Sequence, residues 1–178
     1  MRKLKLEELG RASVEEFRQQ AKTPMVLVLD NVRSALNVGS AFRTADAFAL
    51  ERIYLCGITA QPPHREILKT ALGATEAVDW VYTPTVEEAI AQLRTDNYRI
   101  WAVEQAAERT WLQDFDVQVE QPLALVFGNE VNGVSQSVMD VADGSIEIPQ
   151  FGTKHSFNVS VSVGIVVWEV FRQMRLIE

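Results

Sequence analysis

Met25-Val26-Leu27-Val28-Leu29, preceded by Thr23-Pro24 and closed by Asp30, is the stretch on which the fold turns. A strand with one wet face alternates apolar and polar residues. Five apolar side chains in a row instead predict a strand buried on both faces, the situation of a parallel sheet covered by helices on each side. Similar runs recur at Arg52–Cys56, Tyr98–Val103 and Leu123–Phe127, with shorter candidates at Val78–Tyr82 and Ser145–Pro149. Between them lie helical patterns at Ala35–Ala49, Pro63–Leu72, Val86–Arg94 and Ser135–Val141, the third opened by Thr85 and Glu88 in capping-box spacing. Alternating strands and helices predict an α/β fold with a mostly parallel sheet flanked by helices.

Both ends extend this pattern. Apolar residues at 4, 6, 9, 14 and 17 predict a short helix or helical hairpin broken near Gly10, so residues 1–22 are expected to form an N-terminal helical extension and 23–178 the single domain. Near the other end, Val159, Val161, Val163, Ile165 and Val167 alternate as a strand would. Ser156 to Leu176 is too long for one strand, however, and Ile165, Trp168, Phe171 and Arg172 fit a helix face. The expectation is a helix preceded by a loop at 150–156. Val159, Val163, Val167 and Phe171, with the small Ser160 and Gly164, leave that helix apolar on more than one side and predict a contact between subunits.

The 178 residues are 47% apolar and 23% charged, the balance of one ordinary globular domain. Cys56 is the single cysteine, so no internal disulfide can form and a reducing compartment is expected. MRKLKLEELGR has no apolar core of a secretory signal, and Phe157 to Phe171 is interrupted by Ser160, Ser162 and Glu169. Cytoplasmic location without membrane insertion is the expectation. The net charge of −7 argues against a nucleic-acid partner until its distribution is considered. Residues 79–147 hold three basic and thirteen acidic side chains, whereas residues 1–22 hold six basic and four acidic ones. A neutral-to-basic face built from the two ends of the chain is therefore left open.

Ligands of parallel α/β sheets bind beyond the carboxyl ends of the strands. Three segments at such places carry polar residues. Asn37 and Arg43 follow the first strand; lying six apart, they fall on different faces of a regular helix unless Asn37 precedes it, and a capping Asn with a surface Arg is the plain alternative. Gly128-Asn129-Glu130-Val131-Asn132-Gly133 follows Phe127 and predicts a tight loop with free amides, without the spacing of a dinucleotide fingerprint or a P-loop. Ile148 to Asn158 delivers Lys154, His155, Ser156 and Asn158 to the start of the last helix, where Ser156 could serve as N-cap. Two histidines and one cysteine, far apart in sequence, make no metal site.

Taken together, these segments resemble the SpoU (TrmH-like) family of S-adenosylmethionine-dependent RNA ribose 2′-O-methyltransferases, within the SPOUT superfamily. The resemblance runs from about Thr23 to Arg172. Asn37-Val38-Gly39-Ser40-Ala41-Phe42-Arg43-Thr44-Ala45-Asp46-Ala47-Phe48 matches the first family motif. Gly128-Asn129-Glu130 with Gly133-Val134-Ser135 matches the second, and Ile148-Pro149 with Ser156-Phe157-Asn158-Val159-Ser160-Val161 the third.

The resemblance implies a C-terminal deep trefoil knot, against the general rule on threaded connections. It also implies a homodimer in which the first motif of one subunit faces the donor pocket of the other. Phe127, Gly128, Asn129, Gly133, Ile148, Pro149, Phe157 and Asn158 are the implied contacts to S-adenosylmethionine. Arg43 is the implied catalytic residue, supported by Asn37, Glu130 and Asn158, with Ser156 as a further polar contact. A guanidinium holds its proton too tightly for a good base, so Arg43 is read as orienting the ribose or an adjacent phosphate. The third motif departs from the family where Gln150 replaces the common Met and Phe157 the common Leu, which predicts a reshaped pocket.

RNA would meet Arg33, Arg43, Arg65, Lys69 and Lys154, with Arg2, Lys3, Lys5, Arg11 and Arg18 of the extension. Compact members act on tRNA, which tilts the expectation toward tRNA over rRNA. Two other readings stand beside this one: a catalytically silent RNA-binding or ribosome-assembly dimer that kept the fold, and an unrelated doubly wound enzyme for a small phosphorylated or nucleotide substrate.

Overall fold

A computed structural model describes residues 1–175 of the chain. Seven strands form one sheet, β1 (Thr23–Asp30), β2 (Leu50–Cys56), β3 (Trp80–Thr83), β4 (Arg99–Val103), β5 (Thr110–Trp111), β6 (Leu123–Phe127) and β7 (Gly144–Glu147), in the order β3-β2-β1-β6-β4-β7-β5. Every ladder between these strands is parallel. The apolar run of β1 is the middle of this arrangement. Met25, Leu27 and Leu29 point into one core and Val26 and Val28 into the other, which is why no polar residue interrupts them.

The first core lies under α2 (Ala35–Ala47), α3 (Arg65–Ala71), α4 (Ala74–Ala77) and α7 (Val159–Arg175). On the opposite face α5 (Val86–Thr95) and α6 (Gln136–Met139) cover the second core. Buried Cys56 belongs to the second. Burial pushes its thiol up to about 12, although the Thr83 hydroxyl donates to the sulfur at 3.3 Å. Such a thiol stays protonated and inert.

Within the extension a 3-10 turn at Leu6–Leu9 ends at left-handed Gly10, and α1 (Val14–Gln19) is capped by Ser13. The extension is anchored by buried Phe17 and by Arg18, whose guanidinium donates to the Glu76 carbonyl. The last segment is a helix, as its length requires, and Leu176 lies outside the described residues. Two details differ from the sequence reading. β5 and the 3-10 turn Leu112–Asp114 carry no pattern long enough to read. The Thr85–Glu88 box is half made: the Thr85 hydroxyl accepts from the Glu88 amide at 3.3 Å, while the Glu88 carboxylate takes the Thr85 hydroxyl rather than its N–H.

Gly39 in the first motif lets α2 and α3 cross closely. A Cβ there would stand 2.4 Å from the Ile67 carbonyl oxygen, and the Thr70 hydroxyl donates to the Leu36 carbonyl at 2.9 Å across the same contact. Close backbone approach, rather than a ligand, explains this glycine.

Candidate active site

A cleft of about 520 Å³ opens at the carboxyl ends of β4, β6 and β7, the size that holds a small organic ligand. Its walls come from three segments: 103–105, 127–133, and 146–159. Of the expected donor contacts, Phe127, Gly128, Asn129, Gly133, Ile148, Phe157 and Asn158 line it, together with Glu130 and Ser156. Pro149 is absent from the lining, as are Arg43, Asn37 and Lys154.

The 128–134 loop is closed on itself. The amides of Asn129 and Gly133 donate to each other's carbonyls at 3.0 and 2.9 Å, and the Asn129 side chain accepts the amides of Val131 and Asn132 at 2.8 and 3.2 Å. A Cβ on Gly128 would lie 2.0 Å from the Gly133 carbonyl carbon. Gly133 needs its glycine twice, for φ of +68° and for the Glu104 carboxylate packed 2.1 Å from where a Cβ would be. The free amides expected from the sequence are therefore taken up inside the loop. Asn129 is a loop organiser, its Nδ2 also donating to the Asn31 carbonyl at 2.7 Å.

Glu130 clasps this loop to the first motif. Its carboxylate accepts the amides of Arg33 and Ser34 at 2.9 and 3.0 Å and the Asn37 side chain at 3.1 Å. Burial acts to raise its pKa, but the bonds from Arg33, its own amide, Ser34 and Asn37 outweigh it, and the net shift is downward. Glu130 is thus a held carboxylate and a weak proton acceptor. Helix α2 is capped by Ser34, so Asn37 sits in its first turn and is not the cap. Arg43, on another face of α2, is exposed and makes no hydrogen bond or ion pair among the described residues.

At the third motif the cap is Asn158 rather than Ser156. Its Oδ1 accepts from the amide and hydroxyl of Ser160 at 2.9 and 2.7 Å, leaving the amide donors of Nδ2 without a protein acceptor among the described residues. Ser156, Phe157 and Asn158 are all exposed on the rim.

Two residues not singled out from the sequence tie these loops together. The Glu104 carboxylate accepts the amides of Val134 and Gln105, both at 2.8 Å, and the Gln105 side chain donates to the His155 carbonyl. They follow the apolar run of β4 directly, so looking beyond the carboxyl end of that strand would have found them. Glu147 at the cleft wall is paired with Arg109 at 2.7 Å, and that guanidinium lies over Trp111 at 4.4 Å.

The cleft suits an adenosine-bearing donor. Val103, Phe127, Ile146, Ile148 and Phe157 supply apolar walls, with Asn129, Glu130 and Asn158 as polar groups among them. Among the described residues no group of three metal-ligating side chains occurs, and no helix is long and apolar enough to cross a membrane.

Residues 24–168 match the SpoU rRNA Methylase family. The chain belongs to that family. It is 31% identical to the 23S rRNA (guanosine-2′-O-)-methyltransferase RlmB of Vibrio parahaemolyticus, over 93% of this chain and 66% of the relative. To the tRNA (guanosine(18)-2′-O)-methyltransferase of Thermus thermophilus it is also 31% identical, over 93% of this chain and 84% of the relative. The chain thus spans about two thirds of the rRNA relative's length. Among solved structures, the A. aeolicus TrmH/SpoU tRNA modifying enzyme superposes with a TM-score of 0.79 at 26% identity, covering 90% of this chain and 80% of that one. The AdoMet-bound rRNA methyltransferase of Sinorhizobium meliloti gives a TM-score of 0.79 at 27% identity, covering 92% of this chain and 62% of that one. The Vibrio and Thermus relatives are 2′-O-methyltransferases of rRNA and tRNA, and the Sinorhizobium meliloti enzyme binds AdoMet.

Proposed function

We propose that this chain uses S-adenosylmethionine to methylate a ribose 2′-hydroxyl of tRNA, working in the cytoplasm as a homodimer whose methyltransferase domain at 23–178 carries a C-terminal trefoil knot and follows an N-terminal helical extension at 1–22. The observation that carries the reading is the joining of the three motif segments at one cleft, two as its walls and the first through the Glu130 clasp. The likeness to the tRNA methyltransferase of Thermus thermophilus, at 31% identity, and to the A. aeolicus tRNA modifying enzyme, at a TM-score of 0.79, supports tRNA as the RNA.

Bound donor supplies an electrophilic methyl on a sulfonium sulfur. Held between the 128–133 loop and the 146–159 segment, the donor would give that methyl to a ribose 2′-oxygen, with the carbon–sulfur electron pair staying on the product thioether and the hydroxyl proton passing to solvent. Positioning is the main demand on the protein. Arg43 orients the ribose or the neighbouring phosphate by its planar fork. Glu130 and Asn37 hold the N-terminus of α2 against the donor loop, which makes them positioning residues. Asn158 offers its amide donors at the rim with Ser156 beside it, and Arg33, Arg65, Lys69 and Lys154, all exposed, are the phosphate contacts.

The subunit contact is proposed for a surface other than the one read from sequence. Val163 and Val167 are buried in the chain's own core. Exposed instead are Val161 and Trp168 on α7 and Leu36 on α2, with Ser40, Arg43 and Ala47 on Leu36's side of that helix. The two helices pack together, with Phe48 5.0 Å from Phe171 and 6.1 Å from Trp168 between ring centroids. An apolar surface that includes Arg43 fits a dimer in which this arginine reaches the partner's cleft. The test is incubation with methyl-labelled donor and total tRNA or rRNA, followed by nucleoside mapping. A 2′-O-methylated nucleoside from tRNA is expected. Donor binding with no label in either RNA would support the silent RNA-binding alternative.

A further inference from the structure

The side chains lining the cleft include three carboxylates, Glu104, Glu130 and Glu147, and no lysine or arginine. One of the three is paired with a cation, and a second is saturated by three donors on its two oxygens. Glu147 is paired with Arg109, and Glu130 is taken up by the amides of Arg33 and Ser34 and by Asn37. Glu104 differs. Its two oxygens each accept one backbone amide, from Val134 and Gln105, and no cation pairs with it among the described residues. A carboxylate oxygen has a second acceptor site, so these bonds fix the group without exhausting it. Packing against Gly133 holds the charge at the wall of the cleft.

The donor and the demethylated product differ by one methyl and one charge: the donor sulfur is a sulfonium cation, and the product sulfur is a neutral thioether. Every other group, the adenine, the ribose hydroxyls, the ammonium and the carboxylate, is common to both. Resting on the methyltransferase reading above, we infer that Glu104 is a specificity-determining residue whose uncompensated charge favours the sulfonium donor over the thioether product. Transfer of the methyl removes the positive charge that Glu104 attracts, so the product is held less tightly and leaves. A partly enclosed site strengthens this effect relative to bulk water.

Calorimetry with S-adenosylmethionine and with S-adenosylhomocysteine, on wild-type protein and on Glu104→Gln, tests this. The amide removes the charge and also gives up one of the two backbone amides, a loss common to both ligands; beyond that common loss, donor affinity is expected to fall about tenfold relative to product affinity, the differential that loss of one nearby charge produces. Glu104→Asp keeps the charge on a shorter side chain and is expected to keep the wild-type ratio of the two affinities even if both drop. A purely structural role, or contact with a group common to both ligands, would weaken both equally in Glu104→Gln and overturn the inference. Should the Gln variant not fold, the wild-type ratio decides: product binding more than about tenfold tighter than donor binding, a gap of ~1.4 kcal/mol, contradicts discrimination by this charge. Wild-type protein that binds neither molecule defeats the methyltransferase reading itself, whereas binding of both with an unchanged ratio in Glu104→Gln defeats only the role of Glu104.

Discussion

From Asn129 to Val134 the amides of Asn129, Val131, Asn132, Gly133 and Val134 are all bonded within the protein, whereas Phe151 to Asn158 are all exposed and held by the Gln105–His155 bond and the Asn158 cap. Both segments line the same cleft. The first is a finished surface before any ligand arrives; the second has few apolar contacts and an exposed backbone, the features of a segment with low local stability. The contrast assigns shape and charge of the donor site to the first wall and closure over the ligand to the second. Amide hydrogen exchange checks the division: donor addition should slow exchange in 151–158 markedly and leave 128–134 nearly unchanged.

Glycine substitutions give the largest expected difference between the walls. Gly128→Ala drives a Cβ into backbone at 2.0 Å, so loss of donor binding and a destabilisation of about 3 kcal/mol or more are expected, read by calorimetry and thermal melting. Gly152→Ala, with nothing within 4 Å of its Cβ, should change stability by less than about 0.5 kcal/mol. Equal melting temperatures for the two would remove the contrast.

The Glu130 clasp comes next. Glu130→Gln leaves a neutral group with one oxygen for three donors, which should cost about 1–3 kcal/mol and loosen α2 from the loop. A carboxylate whose folded pKa is depressed stabilises above its unfolded pKa and loses that contribution as pH falls through the folded one. Wild-type stability should therefore decline on the acid side, and the variant should lack that part of the decline in denaturation curves taken across the carboxylate range.

A smaller thermodynamic effect is expected at α7. Within one subunit Gly164 has open space around a Cβ, so Gly164→Leu should fold normally. If α7 forms the subunit contact, the same variant should sediment as a monomer at concentrations where the wild type is dimeric. Asn158→Ala removes the cap of α7 and should lower stability by about 1 kcal/mol.

The parallel sheet was legible because a strand buried on both faces must be continuously apolar, as β6 and the Met25–Leu29 run of β1 are. β5 escaped because two residues at a sheet edge carry no period. At the site, the cleft-lining loops could be read from glycines following a strand, but the clasp could not: Glu130 meets Arg33, Ser34 and Asn37 across 93 to 97 positions of sequence. The amides expected to face a ligand from the Gly128 loop turned out to be internal because Asn129 can cap a turn as well as contact a ligand, and its side-chain direction is not written in the sequence. Glu104 carries no such mark, because the segment that follows β4 has no glycine to signal a loop at a strand end.

In the proposed enzyme a donor cleft and an arginine on a separate helix divide the labour, and Arg43→Ala measures that division. Donor affinity by calorimetry should stay within about twofold of wild type while methyl transfer to RNA falls by a factor of about 100 or more, as when an interaction made only in the transition state is removed. Arg43→Lys keeps the charge without the planar fork and should remain severely impaired. Wild-type rates from both variants, or donor affinity collapsing together with transfer, would contradict the account.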